Sequence, residues 1–240
     1  MLIYAFLWIY YGYQDELRRK VNFVTQYRRA KEFQKLKSII NILIPSIARD
    51  QMQDGKKTLT DQQSYATVLW AEIDEFDFLV RKYHGRDFTE LLEKVYNGLD
   101  GLCEQYGLQV IDTVGKVFVA CGGLKFCEKN LDPRLLTSYH SVRVIEFAVK
   151  AQSFVSQITL QDGRKASIKI GIHTGPVMCG VIGDIKPQFS ILGAEVDKAR
   201  DICKHTEGSS ILISSQSYKK IVNKVNNFEF MEQEIKINDS

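Results

Sequence analysis

Residues 168–202 read IKIGIHTGPVMCGVIGDIKPQFSILGAEVDKARDI, and their pattern decides the fold. Apolar residues recur at alternate positions up to His173, which predicts a strand that ends there. Gly175–Pro176 is typical of a turn. After this turn the pattern predicts two more strands and a helix. The predicted strands cover 165–173, 177–182 and 189–192, and the helix covers 196–204.

Strands and helices also mix on both sides of this block. They do not alternate strictly, and Val114–Lys116 has the composition of a hairpin tip. We therefore expect an α+β fold in which helices cover an antiparallel-rich sheet. The other predicted strands cover 66–73, 109–114, 116–121, 210–214 and 228–237. The other predicted helices cover 75–84, 89–106, 140–156 and 215–225.

Length and composition limit the classes of function. The chain has 240 residues, enough for one compact domain of about 180 to 200 residues with an appended helix. Its net charge of +3 comes from interspersed charges, which argues against a nucleic-acid partner. The five cysteines are odd in number and never spaced as CxxC. Neither a disulfide framework nor a zinc site is indicated, and we expect reduced cysteines in the cytosol.

The N-terminal segment Leu2–Tyr13 (LIYAFLWIYYGY) is almost entirely apolar and aromatic, and Arg18, Arg19 and Lys20 follow it. Its 12 residues are too few to cross a bilayer, which takes about 20. No signal-peptide cleavage site follows. Besides an ordinary packed helix, two interpretations stay open. The segment is the end of a membrane helix that begins before this chain, with its basic residues on the cytoplasmic side, or an apolar cap buried by a partner.

Residues 15–49 are charged and carry apolar residues at a three-to-four spacing, which predicts a helix that Pro45 ends or kinks. This helix either packs on its own domain or is a signalling helix that pairs with a second copy or a partner. Residues 50–64 are polar and predict a loop. The predicted organisation is an apolar stub over 1–14, a linker helix and loop over 15–64, and a domain over 65–240.

Three further segments extend the pattern of residues 168–202. They are FQKLKSIINILIPSIARD at 33–50, VLWAEIDEFDFL at 68–79 and VIDTVGKVFVA at 110–120. Together with GIHTGPVMCGVIG they resemble the catalytic domain of class III adenylyl and guanylyl cyclases, and IDEFDF is similar to protist guanylyl cyclases. The resemblance implies a ferredoxin-like α+β cyclase domain with an antiparallel-rich sheet, covering helices and a preceding linker helix.

The resemblance also implies two metal ions, Mg²⁺ or Mn²⁺, held by two aspartates. The corresponding metal positions here are Glu72, Ile73 and Lys116. Glutamate is still an oxygen ligand, but its extra methylene moves the carboxylate by about 1.5 Å, and Mg²⁺ tolerates little distortion. Lysine places an ammonium where a divalent ion would lie, so repulsion replaces coordination. Asp74 or Asp77 could support a metal at Glu72, or these acids are simply solvated at a strand end.

Nucleotide recognition follows from the same resemblance. Cyclases of this family select the base with two residues, which here are Asp112 and Ser190, and this pair favours guanine over adenine. Phe76 and Asp77 fall on further nucleotide-binding positions.

A helical asparagine and arginine, which in the family orient the ribose and stabilise the transition state, are replaced here by Asp197 and Asp201. Arg200 is displaced by one residue, which rotates a helical side chain by about 100°. Two acids at these positions repel a triphosphate. His173 is expected to belong to the scaffold rather than to act as a general base.

The resemblance finally implies a head-to-tail dimer with active sites at its interface. We expect a catalytically degenerate half, inactive alone and leaning to guanylyl chemistry, that pairs with a competent cyclase half and acts in cyclic-nucleotide signalling. The alternative is a non-catalytic scaffold or nucleotide-sensing module with this fold, and the third option is an active homodimeric cyclase. The expected location is the cytoplasmic face, with a possible membrane tether at the N-terminus.

Overall fold

The structure is a computed structural model of the chain. It describes residues 2–43, 59–129, 131–183, 188–224 and 228–233. The chain divides into two compact units, residues 1–49 and residues 50–240. The limits predicted for the stub, the linker and the domain stay predictions.

The first unit contains one long helix, α1 (Leu2–Leu43), of 42 residues. The predicted helix is confirmed, and the apolar stub is part of the same helix. Its apolar residues do not form one stripe. At 100° per residue, Leu17 and Val24 lie on one side, Tyr27 on a second and Leu36 on a third. No helix in the described part of the chain is both long and apolar enough to cross a membrane. The predicted end at Pro45 lies outside the described residues.

The second unit is built on a six-stranded sheet. Its strands are β1 (Leu59–Ile73), β2 (Gln109–Val114), β3 (Val117–Gly122), β4 (Ile168–Ile182), β5 (Gln188–Leu192) and β6 (Ile211–Ile213). The order is β2-β3-β1-β4-β5 with antiparallel neighbours, and β6 pairs with β4 in parallel. The predicted antiparallel-rich α+β sheet is thus confirmed.

Helices cover both faces of this sheet. They are α2 (Phe76–Lys82), α3 (Gly85–Tyr106), α4 (Lys125–Glu128), α5 (His140–Gln157), α6 (Ala194–Lys204) and α7 (Ser215–Ile221), with a short 3-10 turn at Leu135–Thr137. One face packs on α3 and α5, where Leu99, Phe118 and Phe147 are at most 1% exposed. On the other face α6 packs on β1 and β4 and buries Ala199 and Cys203.

The predicted turn at Gly175–Pro176 is wrong, because β4 runs unbroken from Ile168 to Ile182. The ladder with β1 is irregular at this point, since Ala66 pairs with Gly175 and Gln63 pairs with Val177. Pro176 therefore lies at a bulge, where a residue without an N–H is tolerated. The two strands predicted at 165–173 and 177–182 are one strand.

Several other elements begin or end up to four residues from the predicted position, such as α7, which ends at Ile221 instead of residue 225, and two differences are larger. Strand β1 begins at Leu59 instead of Ala66, so residues 59–64 belong to the sheet and not to the predicted loop. The rest of that loop lies outside the described residues. Residues 228–233 are not a strand, although Phe228 and Phe230 pack against the core. The remainder of the predicted C-terminal strand lies outside the described residues.

Candidate active site

Strand pairing brings the predicted metal positions together at one end of the sheet. Glu72 at the end of β1 pairs with Val117 on one side and with Lys169 on the other. The backbone N–H of buried Ile73 donates to the carbonyl of Lys116 at 2.9 Å. The hydroxyl of Tyr96 donates to the carbonyl of Gly115 at 2.5 Å, so α3 holds the hairpin tip that presents Lys116.

The central contact is an ion pair between Glu72 and Lys116. Lys116 Nζ lies 2.7 Å from Glu72 Oε2, and the indole N–H of Trp70 donates to Glu72 Oε1 at 3.2 Å. Both carboxylate oxygens of Glu72 are therefore engaged by protein donors. The hydrogen bond to Glu72 raises the pKa of Lys116, so the ammonium keeps its charge.

Three neighbouring acids, Asp74, Glu75 and Asp162, are paired as well. Asp74 Oδ1 lies 3.0 Å from Lys169 Nζ, and Glu75 pairs with Arg164. Glu75 has a φ of 50°, in the left-handed region, where the chain turns from β1 into α2. The carboxylate of Asp162 lies 2.8 Å from both Lys82 and Arg164, and these hydrogen bonds lower its pKa.

These residues line a cavity of about 450 Å³ between the end of β1, α2 and the hairpin. Phe76 and Asp77, the predicted nucleotide-binding positions, both line it. Phe76 also stacks edge-on against Phe88, with ring centres 5.4 Å apart. The structure thus places these two residues in the same cavity as Glu72 and Lys116.

The side chains of this cavity do not fit a pair of divalent metal ions. No group of three or more carboxylate, histidine or cysteine side chains able to hold a metal occurs in the described part of the chain. Glu72 is bonded to an ammonium and an indole, and Asp74 is bonded to Lys169. A metal would have to displace these partners and also lie beside the charge of Lys116.

The two predicted base-selecting residues lie on strands that approach each other. Parts of β2 and β5 come within 8 Å, although they stand at opposite ends of the strand order. Asp112 follows a bulge in β2, and its Oδ1 accepts from the N–H of Thr113 at 2.9 Å. Ser190 pairs with Gly180. Both residues are half-buried, so each keeps access to solvent.

On α6 the charged residues pair along the helix. Arg200 Nη2 lies 2.8 Å from Asp197 Oδ1, and Lys204 Nζ lies 2.9 Å from Asp201 Oδ1. The hydrogen bond from Lys204 lowers the pKa of Asp201, so this acid stays ionised. Arg200 also lies over the ring of Trp70, 5.9 Å from its centre. The structure therefore links the helix positions to β1 through Trp70.

His173 lies inside β4 and is 4% exposed. Its Nε2 is hydrogen-bonded to Glu195 on α6, which in turn contacts Lys198. This contact ties α6 to β4, in keeping with a scaffold residue.

Sequence reasoning missed Lys169, Arg164 and Glu195. Of these three residues, only Lys169 could have been noticed in the sequence, because it is a charged residue between Ile168 and Ile170 in a largely apolar strand.

Stability is expected to fall as the pH drops from about 7.5 to about 5.5. Burial lowers the pKa of His140 and of His173 below the ordinary 6.5. Below pH 6.5 the two histidines are protonated in the unfolded chain but stay neutral in the folded chain until a lower pH. The free energy of unfolding therefore falls by at most about 1.4 kcal/mol per pH unit for each histidine. Urea unfolding across this range measures the slope. The variant His140→Asn should flatten it and exposed His84→Asn should not; an equal slope in both variants would contradict the assignment.

A family model and curated relatives each match most of this chain. Residues 59–238 match the sequence model of the adenylate and guanylate cyclase catalytic domain. The chain is 24% identical to the rat guanylate cyclase soluble subunit beta-2 over 199 residues, 81% of this chain and 27% of that protein. It is 25% identical to the germination-specific adenylate cyclase of Dictyostelium discoideum over 209 residues, 86% of this chain and 23% of that protein.

A solved structure shares the fold. The guanylate cyclase domain of RhGC from Catenaria anguillulae, in complex with GTP, superposes with a TM-score of 0.59 at 23% identity, over 67% of this chain and 84% of that chain. The chain thus spans most of a solved domain, but 27% and 23% of the length of the two curated relatives.

Proposed function

The chain belongs to the family of adenylate and guanylate cyclase catalytic domains, and from this we propose that it is a catalytically degenerate half. In this proposal it acts in cyclic-nucleotide signalling by pairing head-to-tail with a competent cyclase half. The observation that carries the proposal is the ion pair of Glu72 and Lys116, 2.7 Å long.

In this ion pair the ammonium of Lys116, and not a metal ion, neutralises the carboxylate of Glu72. Two-metal catalysis requires free oxygen ligands that neutralise the charge of a triphosphate. The two carboxylate oxygens of Glu72 already accept from Lys116 and Trp70, and the ammonium of Lys116 keeps its charge. This chain therefore supplies no metal-dependent step of its own.

The partner contribution rests on the base-selecting pair. Asp112 and Ser190 are half-buried on two strands, β2 and β5, that come within 8 Å of each other, and a carboxylate at this place would accept hydrogen bonds from the N1 and N2 donors of guanine. A competent half would bring the metal ligands, and this chain would contribute base contacts, which favours GTP. None of the five described cysteines forms a disulfide, which agrees with the proposed location at the cytoplasmic face.

The experiment combines metal binding with reconstitution. The purified chain should show no Mn²⁺ binding at this cavity and no cyclase activity with GTP or ATP. Glu72→Asp with Lys116→Asp should gain Mn²⁺ binding by calorimetry or electron paramagnetic resonance, whereas Lys116→Met, which removes the ammonium without adding a ligand, should gain less.

Mixing with a competent cyclase half should give activity that falls at least tenfold on Asp112→Ala, the loss of about one charged hydrogen bond. Cyclic nucleotide made by the chain alone would contradict the proposal.

A second candidate is a non-catalytic interaction or nucleotide-sensing module. Asp197 and Asp201 favour it, because both are acids on the helix that should contact the ribose and the phosphates, and each is paired with a basic residue of that helix. Reconstitution separates the two candidates. Pairing that raises the activity of the partner, without any effect of Asp112→Ala, would support the module instead.

A further inference from the structure

We propose that the first three turns of α1, residues 2–13, insert into a lipid bilayer that carries anionic headgroups. The proposal concerns the first unit of the chain and does not depend on cyclase pairing. Three properties of α1 carry it: apolar side chains on every side, an excess of tyrosine and tryptophan, and a positive net charge over the residues that follow the apolar segment.

The apolar side chains of this segment surround the helix. Between Ile3 and Tyr13, nine large apolar or aromatic side chains are 46% to 81% exposed. Successive residues are about 100° apart, so these side chains cover the whole circumference. A single partner helix covers one stripe of such a surface and leaves the rest in water, whereas lipid encloses it.

The kind of side chain also fits a membrane boundary. Five of these nine residues are tyrosine or tryptophan: Tyr4, Trp8, Tyr10, Tyr11 and Tyr13. Such rings have an apolar body and a polar edge, and they concentrate where hydrocarbon meets headgroups. Ile3, Phe6, Leu7 and Ile9 supply the purely apolar surface between them.

The net charge of the residues after the apolar segment indicates that the lipid headgroups are anionic. Residues 14–38 contain eight basic and three acidic residues, a net charge of +5, whereas the whole chain carries +3, which leaves −2 for the remainder. Two of the three acids are paired within the helix, Asp15 with Arg19 at 2.5 Å and Glu16 with Lys20 at 2.8 Å. Basic residues next to an inserted segment are attracted by anionic headgroups.

A second helix is a poorer occupant of this surface. A coiled coil needs a continuous apolar seam, and the apolar residues between Leu17 and Leu36 are distributed over three sides of α1. Leu17, Val21 and Val24 lie on the first, Phe23 and Tyr27 on the second, and Phe33 and Leu36 on the third.

The test uses the full chain and tryptophan fluorescence. The chain has two tryptophans, so the variant Trp70→Phe leaves Trp8 as the only reporter. Vesicles of phosphatidylcholine with phosphatidylserine should bind this variant in flotation, and Trp8 should shift to the blue and be quenched by brominated lipid chains. Pure phosphatidylcholine vesicles should bind roughly tenfold more weakly or worse, as should the anionic vesicles in about 1 M salt.

Matched variants locate the contact. Phe6→Asp with Ile9→Asp should abolish flotation, whereas Phe33→Asp on the same helix should not, although Phe33 is 67% exposed against 80% for Phe6 and 65% for Ile9. Replacing Arg18, Arg19 and Lys20 together by glutamine should weaken binding to the anionic vesicles by about tenfold or more. Unquenched Trp8, equal binding to both lipids, or self-association through residues 2–13 without vesicle binding would each overturn the proposal.

Discussion

The variant Gly171→Ala is expected to lose about 3 kcal/mol or more of unfolding free energy, or not to fold at all. An added Cβ at residue 171 would lie 2.4 Å from the carbonyl oxygen of Ala199 and 2.4 Å from the backbone nitrogen of Cys203. Both atoms belong to the backbone of α6, which cannot turn aside as a flexible side chain does. The methyl group would push α6 off β4, and urea unfolding measures the loss.

The control for this variant is Gly101→Ala. Gly101 is exposed within α3, and nothing lies within 4 Å of the Cβ that alanine would add. Alanine in the middle of a helix is favoured over glycine by about 0.5 to 1 kcal/mol, so this variant should be more stable than the parent. The same change from glycine to alanine should therefore lower the unfolding free energy at residue 171 and raise it at residue 101. A Gly171→Ala protein within 1 kcal/mol of the parent would refute the close packing of α6 on β4.

The second large effect is expected for Arg143→Met, which should cost about 2 to 4 kcal/mol. The Arg143 side chain is 1% exposed, and its Nη2 donates to Glu128 Oε1 and Oε2 at 2.5 and 2.6 Å. Its Nη1 donates to the carbonyls of Tyr106 and Gly107 at the end of α3, each at 3.1 Å. Methionine fills a similar volume but donates to none of these acceptors, and Glu128 Oε1 keeps the backbone N–H of Gly123 at 3.1 Å as a donor. Because Glu128 keeps partial access to water, the cost stays below that of a fully buried charge.

The matched control for Arg143→Met is Arg134→Met. The Arg134 side chain is 91% exposed and pairs with Asp132 at 3.1 Å, and an exposed pair of this kind contributes about 0 to 1 kcal/mol. Adding Glu128→Gln to Arg143→Met should recover part of the loss, because an uncharged amide tolerates the missing partner better. Equal unfolding free energies for the two methionine variants would show that the buried network does not stabilise the fold.

Local pattern was enough to predict most of the sheet and its helices. The hairpin at Val114–Lys116 and the helix after Gly193 depend on neighbours a few residues apart, and both are found. The prediction of a turn at Gly175–Pro176 was wrong because the conformation there depends on the pairing with Gln63 and Ala66. These residues are more than 100 positions away in the chain, and their pairing places the bulge.

The same limit applies to the site. Motif position was enough to predict that Glu72 and Lys116 stand where the family resemblance implies metal-binding aspartates. Their direct contact could not be predicted, since it depends on the register of β1 with β3. Lys169 and Arg164 reach Asp74 and Glu75 from more than 85 residues away, and no spacing rule connects such pairs.

The contact between Glu72 and Lys116 has a consequence for regulation. A bound metal ion leaves when a chelator is added or when its concentration in the cell falls, and a protein surface that depends on it changes at the same time. A lysine tethered by its own backbone cannot diffuse away, and its high pKa keeps it charged at every physiological pH. This end of the sheet would therefore present a partner with the same surface whatever the supply of divalent ions, so that any response to those ions would come from the partner alone.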